Sequence, residues 1–458
     1  MASLRSLTAQ LYGGRSLPDV GLVRQRLDAP RLENVAAAAS EQTRRLLRRA
    51  GRAPGPIAVG VGSRGIANLA TIVGAVVREL KAGGFQPFIV PAMGSHGGGT
   101  ASGQLEVLAG YGIDEATMGV PVRATMETVV VGEVEGLPIH LEAAVAGAGL
   151  AFLVARVKPH TDFRGSVESG LAKMTAIGLG KQTGAQLIHS AGIHGLRDVM
   201  PEAARLLAER GYVLGGLGIV ENQRDETALI QGLTGAEFAG PIEEELLRRA
   251  RTLMPRLPFD QLDVLVVDRM GKDISGTGMD TNVLNRARIV GEPEPGGLAI
   301  SAVVVLDLTA ASHGNAIGVG LADFTVERVL AKLDLAALYT NALTAGLVGF
   351  ERGQLPIVLP TDRDAILAAI AGRGRPEGVP LRLAWITDTL HTETIAVSRA
   401  LWDEAAGDPN LELMAQPSPM PVRADGSLEA LLEWEGGAHR PPVAPGEALS
   451  AQHPLRLP

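Results

Sequence analysis

Short apolar runs alternate with stretches of helical periodicity along the first half of this chain. The apolar runs lie at residues 55–62, 85–91 and 149–157. Strands of a parallel sheet are typically apolar throughout, because helices cover both faces of the sheet. Residues 63–84 carry apolar residues every three or four positions and end on two glycines, as a helix does. This strand–helix–strand order predicts a parallel sheet with right-handed crossovers.

The second half repeats the pattern, with apolar runs at residues 262–268 and 301–307 and a predicted helix at 327–344. Between the halves, the sequence MPRLPF has two prolines in six residues and is typical of a linker. We therefore predict an α/β fold with two domains, residues 1–255 and 256–458, each with a mainly parallel sheet flanked by helices. Residues 1–30 are interpreted as a polar N-terminal segment, and the proline- and glycine-rich tail beyond residue 407 as irregular.

Composition excludes several classes of protein. Of the 458 residues 46% are apolar and only 3% aromatic, which fits an aliphatic core between helices and sheet. The net charge of −8 argues against a nucleic-acid partner. The absence of cysteine excludes disulfides, thiolate metal sites and cysteine nucleophiles. No apolar stretch has the length of a membrane span or a signal peptide, so a cytoplasmic protein without a membrane partner is expected. The oligomeric state stays open, and a homo-oligomer is compatible with the sequence.

Polar residues follow three of the predicted strands in the first domain. Arg64 comes after the first strand, His96 after the second and His160 after the third. Ligands of open α/β sheets bind outside the carboxyl ends of the strands, so these three side chains are expected to converge. Residues 157–194 form the densest segment of this kind, since three of the nine histidines of the chain lie there, including His189 and His194.

Residues 60–65 spell G-x-G-x-x-G between a predicted strand and a predicted helix. This is the context of the dinucleotide fingerprint, which makes an NAD-dependent 2-hydroxy acid dehydrogenase one alternative. The fingerprint also requires an acidic residue at the tip of the second strand, and here that tip is Pro91-Ala92-Met93-Gly94. A helix start with Ser63 and Arg64 still suits a phosphate or a carboxylate.

The set Arg64, His96, His160, Lys173 and His189 resembles the nickel-dependent lactate racemase family, whose enzymes use a nickel-pincer nucleotide. The lysine precedes the last histidine by sixteen residues, as in that family. The resemblance covers residues 55–195 and extends only loosely into the second domain. Val61 stands where the family usually has Asp, and the segment between His160 and Lys173 is longer than usual, which indicates a divergent branch.

The resemblance implies a role for each of these residues. Lys173 would be joined covalently to the cofactor, nickel pyridinium-3,5-bisthiocarboxylate mononucleotide, and His189 would be the nickel ligand. His96 and His160 would exchange a proton with the substrate. Ser63 and Arg64, at the predicted helix start, are expected to contact the cofactor.

Racemisation of a 2-hydroxy acid needs such a set of residues on chemical grounds. The C2 hydrogen is barely acidic, and moving it as a hydride to an electrophilic cofactor avoids a carbanion. The hydroxyl proton must leave at the same time, which suits imidazole, and two bases serve the two faces of the intermediate 2-oxo acid. The substrate carboxylate needs a cation, which Arg64 or Lys272 would supply, with Asp273 as a further substrate contact. The site is then expected in the cleft between the domains.

We therefore predict an isomerase, a racemase or epimerase that inverts C2 of a lactate-like or sugar acid. The charged insertion with Asp162, Arg164 and Glu168 favours a polar acid. Besides the dehydrogenase, a non-catalytic organic-acid or nucleotide-binding protein is the other alternative. Lys181 is interpreted as a helix-flank lysine that could also meet a nucleotide phosphate. Four further residues have a loop, turn or surface interpretation beside a functional one: His194, Asp280, Asn282 and His313.

Overall fold

A computed structural model describes residues 4–62, 65–376, 378–431 and 433. The described residues divide into two compact units. The first unit runs from Asp28 to Met254, and the second unit is built from residues 4–27 and the described residues after Met254. The prediction of an α/β fold with mainly parallel sheets flanked by helices is confirmed. The observed division differs from the predicted boundaries in one respect, since residues 4–27 lie with the second unit.

The strands are β1 (Asp19–Gln25), β2 (Pro56–Val61), β3 (Gln86–Pro91), β4 (Thr128–Val134), β5 (Leu137–Glu142), β6 (Ala151–Arg156), β7 (Val213–Glu221), β8 (Thr227–Thr234), β9 (Gln261–Val267), β10 (Ala299–Val305), β11 (Phe324–Val326), β12 (Ile357–Leu359), β13 (Leu383–Ile386), β14 (Thr394–Ser398) and β15 (Leu411–Pro419).

The helices are α1 (Leu4–Tyr12), α2 (Val35–Ala50), α3 (Leu69–Ala82), α4 (Ala101–Gly110), α5 (Glu115–Met118), α6 (Ala143–Ala148), α7 (Gly170–Lys173), α8 (Lys181–Ser190), α9 (Gly192–His194), α10 (Met200–Glu209), α11 (Pro241–Thr252), α12 (Thr281–Leu284), α13 (Glu327–Lys332), α14 (Leu335–Ala345), α15 (Leu347–Phe350), α16 (Asp362–Gly372) and α17 (Arg399–Ala405). Single π-helical turns lie at Met174–Gly178 and Gly195–Val199.

The first unit contains a sheet in the order β3-β2-β6-β7-β8, parallel except for β8. Helices cover both of its faces, as the apolar runs predicted. In β2, Ala58 packs into one apolar cluster, and Ile57 and Val59 pack into another cluster. The chain runs from β2 outward to β3 and then returns to the other side of β2 at β6. The strand order therefore reverses between β2 and β6, which makes this the switch point of the sheet.

The second unit contains a sheet in the order β12-β11-β10-β9-β13-β14-β1-β15. Pairing is parallel from β12 to β13 and antiparallel from β13 to β15. The order reverses between β9 and β13, so this unit has a switch point of its own. The interpretation of residues 1–30 as a polar segment was wrong, because β1 pairs with β14 and buries Val20 and Val23 completely.

Two further predictions for the second half need correction. The predicted helix at 327–344 is two helices, because Asp334 accepts hydrogen bonds from the backbone N–H of Ala336 and Ala337 and so starts α14 afresh. The tail beyond residue 407 is not irregular throughout, since residues 411–419 form β15 against β1. Its last twenty residues lie outside the described residues.

None of the helices in the described part of the chain has both the length and the apolar character needed to cross a bilayer.

Candidate active site

The carboxyl ends of β2, β3 and β6 lie side by side in the first unit, and the switch point falls between β2 and β6. His160 follows β6 by four residues, and His96 follows β3 by five. Ser63 and Arg64, which follow β2, lie outside the described residues. His96 and His160 therefore follow their strands at the sheet edge where ligands of such folds bind, as predicted.

A buried carboxylate holds the loop that carries His160. Glu168 is fully buried, and its Oε2 accepts the backbone N–H of His160 at 2.9 Å. Its Oε1 accepts the N–H of Gly165 at 3.0 Å and pairs with Arg251. All of these bonds are internal to the protein. Both carboxylate oxygens of Glu168 therefore shape the loop that carries His160.

His160 and Lys173 are in direct contact, with 2.5 Å between Nε2 of the imidazole and Nζ of the lysine. The backbone N–H of Asp162 points at the other ring nitrogen, Nδ1, at 3.1 Å. A neutral imidazole that accepts at Nδ1 carries its proton on Nε2. An ammonium group has only donors, so both bonds form together only when Nε2–H donates to an uncharged Lys173 amine. The hydrogen-bond pattern therefore favours an uncharged amine at Lys173.

A second buried carboxylate fixes the short helix that ends at Lys173. Glu243 is fully buried and accepts the backbone N–H of Ala172 at 3.0 Å and of Ala239 at 2.9 Å. Burial raises the pKa of Glu243, and these backbone donors oppose the rise. Gly170 begins the helix at φ +82°, and a Cβ there would lie 2.8 Å from Glu243 Oε1. Glycine is thus required for the carboxylate to approach the helix start.

Lys173 is followed at once by the π-helical turn at Met174–Gly178, a feature that is frequent at functional sites. The chain then continues into α8, which carries His189 in its last turn. The Nδ1 of His189 bonds to the carbonyl of Ala185 at 2.6 Å, so Nε2 is the nitrogen left for a ligand. His189 is exposed, yet the protein atoms around its ring lower its pKa by desolvation.

Charges from the His160 region act on His189. When Lys173 is protonated, its charge lowers the pKa of His189 further, and the negative charge of Asp162 raises it. These interactions indicate that His160, Lys173 and His189 belong to one region of the first unit.

His96 lies in an exposed loop that packs against the same segment. In this loop, the N–H of Gly94 donates to the carbonyl of Gly178 at 3.2 Å, at the end of the π-helical turn. The His96 side chain is exposed. The structure therefore brings Lys173 and His160 into contact. It places His189 within electrostatic reach of Lys173 and Asp162, and the His96 loop against the turn that follows Lys173.

The described residues contain no group of three or more His, Asp or Glu side chains arranged to hold a metal ion. His189 offers one imidazole nitrogen, which is insufficient for a transition metal on its own. A metal at His189 would thus need further donor atoms from a bound group.

In the second unit, Lys272 and Asp273 lie in the loop that follows β9. The ammonium of Lys272 donates to Gly276 O at 2.8 Å and lies 3.4 Å from Asn341 Oδ1. Asp273 accepts from the hydroxyl of Thr309 at 2.5 Å. Further along the loop, Asp280 caps α12 by accepting from the N–H of Asn282. The predicted substrate contacts, Lys272 and Asp273, thus also make hydrogen bonds within the second unit.

Sequence reasoning missed a histidine at the switch point of the second unit. Asp388, just after β13, is fully buried and accepts from His391 Nδ1 at 2.7 Å. Its other oxygen accepts from Arg269, which follows β9. A buried carboxylate on Nδ1 fixes the tautomer of an imidazole and turns Nε2 outward. The spacing Asp-x-x-His after the apolar run of β13 was the available clue.

Two other sequence candidates have definite environments. His194 is exposed and bonded to Glu135 at 2.7 Å and Asp198 at 2.8 Å, and both carboxylates raise its pKa. It is a surface histidine in an ion-pair network. Lys181, which was interpreted as a helix-flank lysine, is instead completely buried beside Glu142.

No protein-family model matches the chain, and no curated protein matches it. Two solved structures are similar in fold. One is a structural-genomics protein from Thermotoga maritima, with 12% identity, a TM-score of 0.46 and coverage of 69% of this chain and 81% of that chain. The other is the lactate racemase apoprotein from Thermoanaerobacterium thermosaccharolyticum, with 11% identity, a TM-score of 0.42 and coverage of 80% and 85%. Both are distant likenesses of fold.

Proposed function

We propose that this chain is an isomerase that racemises or epimerises a 2-hydroxy carboxylic acid at C2, with a nickel-pincer nucleotide attached at Lys173. The observation that carries the proposal is the contact between Lys173 Nζ and His160 Nε2 beside the switch point. A nucleophilic amine next to an imidazole, with a second imidazole within electrostatic reach, is an arrangement suited to covalent cofactor attachment and proton transfer.

The residues present fit this cofactor. Attachment through a thiocarboxyl group needs an unprotonated amine, which the hydrogen bonds around His160 favour at Lys173. The protein would supply His189 as a single nickel ligand, and its Nδ1 bond to Ala185 O leaves Nε2 available. When bound, the cofactor supplies an electrophilic ring carbon that accepts a hydride. A cofactor that brings its own donor atoms accounts for a metal site with one protein ligand.

The histidines would handle the hydroxyl proton of the substrate. A Lys173 nitrogen held in an amide-type bond to the cofactor would not accept a hydrogen bond, so His160 Nε2 would be available to exchange a proton with the substrate. Glu168 and the N–H of Asp162 would keep the imidazole oriented during this exchange. His96 would act as the second base from its own loop. Arg64, Lys272 and Asp273 stay proposed contacts of the substrate.

The dinucleotide alternative has less support from the geometry. Gly60 lies inside β2, where a Cβ would meet Leu153 at 2.5 Å, so this glycine makes room for core packing. Helix α3 begins only at Leu69, several residues after the fingerprint. In a dinucleotide site the glycines form the turn and the helix starts directly behind them.

A chiral assay distinguishes the candidate functions. Protein from a host that makes the cofactor is incubated with single enantiomers of lactate and of several larger 2-hydroxy acids, with and without NAD. We expect inversion at C2 without NAD and without net oxidation. Conversion that requires NAD would identify a dehydrogenase, and binding of an acid without any conversion would identify a non-catalytic binding protein.

A further inference from the structure

A buried ion pair lies beside the candidate site and has no role in the proposed reaction. Lys181 and Glu142 are both completely buried, with 3.2 Å between the ammonium nitrogen and Glu142 Oε2. The same ammonium donates to the carbonyl of Pro91 at 2.6 Å and to Gln104 Oε1 at 2.9 Å. Burial lowers the pKa of Lys181 and raises the pKa of Glu142, while their mutual attraction opposes both shifts.

Gln104 extends this contact to the loop of His96. The amide of Gln104 is fully buried, and its Nε2 donates to the carbonyl of Gly94 at 2.8 Å and to the carbonyl of His96 at 3.3 Å. Lys181 thus binds the carbonyl of Pro91 directly, at the end of β3. Through Gln104 it is linked to two carbonyls of the loop that follows.

Lys181 is also the first residue of α8, the helix that ends with His189. Its backbone has φ +53°, a conformation that a lysine adopts only when its surroundings impose it. A well-packed apolar pair is often at least as stable as a buried ion pair, so packing alone gives no reason for this arrangement. The buried lysine instead supplies directional hydrogen bonds that join the start of helix α8 to the end of β3 and to Gln104.

We propose that Glu142, Lys181 and Gln104 form a positioning network that fixes the His96 loop, residues 92–99, against helix α8. The network keeps the backbone of His96 in register with the helix that carries His189. A role of this network in catalysis rests on the proposed function, in which His96 and His189 act at the same site. The holding of the loop itself can be measured without any assumption about the reaction.

The test uses Gln104→Leu, which removes the link to the loop and leaves the ion pair in place. A matched control is Gln25→Leu in the second unit, where a buried amide also donates to two backbone carbonyls, those of Arg256 and Thr392. If Gln104→Leu does not fold, the isosteric Gln104→Glu replaces it, since it keeps an acceptor for Lys181 and removes both donors to the loop.

Hydrogen exchange followed by mass spectrometry is measured on peptides covering residues 92–100 and on a reference peptide from β6. We expect exchange in 92–100 to become about tenfold faster or more in the Gln104 variant, with β6 unchanged. The Gln25 control should leave 92–100 unaffected. Unchanged exchange in 92–100, or equal acceleration in both variants, would overturn the proposal.

Turnover separates this proposal from the proposed function. With an acid that the wild-type protein inverts, the Gln104 variant should retain the mass added at Lys173 and its nickel, while kcat falls about tenfold or more and KM changes little. A loosened loop with unchanged kcat would refute a positioning role. If the wild-type protein inverts no acid, the proposed function fails, and the exchange result alone decides whether the network holds the loop.

Discussion

The hydrogen bonds of His160 predict that Lys173 is unusually reactive in protein that lacks the cofactor. An ordinary lysine has a pKa of about 10.4, so at pH 7 only about one molecule in 2,500 carries a free amine. A hydrogen bond donated by His160 Nε2 stabilises the uncharged amine of Lys173 relative to its ammonium form. Acylation by a small amine-selective reagent depends on the free amine, so its rate at Lys173 rises by up to about 10³.

Partial burial of Lys173 slows access of the reagent. Even a hundredfold loss of access leaves an advantage of about tenfold over an exposed lysine, from the same arithmetic. The chain has six lysines, which makes peptide mapping simple. Lys81 serves as the internal reference because it is exposed. We expect acetylation at pH 7 to reach Lys173 at least about tenfold sooner than Lys81.

The perturbation is His160→Phe, which keeps a ring beside Phe163, whose centroid lies 4.8 Å from that of His160, and removes both nitrogens. The rate at Lys173 should fall to that of Lys81 or below. His194→Phe is the control, because His194 is an exposed histidine bonded to two carboxylates and not to a lysine. Equal rates at Lys173 and Lys81 in the wild-type protein would refute the hydrogen-bond assignment, as would a His160 variant that keeps the fast rate.

Three further predictions concern the ion pair, a buried acid and the histidines. Lys181→Met should lower the free energy of unfolding by about 3–5 kcal/mol in denaturant titrations, because it leaves the Glu142 carboxylate buried without its partner. The double variant with Glu142→Leu should recover part of this loss, and a double variant less stable than the single one would contradict the reasoning. Burial raises the pKa of Asp268 from its ordinary value near 3.8 to about 7, so its contribution to stability is complete below about 3.8 and is lost as the pH rises through 7. The free energy of unfolding should therefore fall between about pH 4 and pH 7, and Asp268→Asn should remove that part of the slope. An unchanged slope would show that another group causes it. His189→Ala should lose nickel while His96→Ala keeps nickel and loses turnover, as measured by metal analysis and chiral assay; equal nickel loss in both would refute the division of roles.

The parallel strands of both units could be predicted from sequence because their signal is local. A fully buried parallel strand is apolar along its whole length, and β2, β3, β6, β9 and β10 all lie on apolar runs. The signal in strand β1 is shorter, because only the four residues from Val20 to Val23 are apolar and polar residues flank them. The pairing that makes this segment a strand comes from β14 and β15, nearly four hundred residues away.

The candidate site was predictable only in part, for a related reason. A histidine after an apolar run indicates the carboxyl edge of the sheet, and His96 and His160 follow β3 and β6, which lie on either side of β2. The burial of a charged side chain has no local signature. Glu168, Lys181 and Glu243 lie among polar neighbours in sequence like any surface residue, and only the fold shows that they are buried and hold the loops around the site.

The central claim is that Lys173 carries a nickel-containing cofactor. Its most direct test is the intact mass and nickel content of freshly purified protein from a host that makes the cofactor. We predict an added mass located on the peptide that contains Lys173, about one nickel per chain, and loss of both in Lys173→Ala. Wild-type protein of unmodified mass without nickel would contradict the claim.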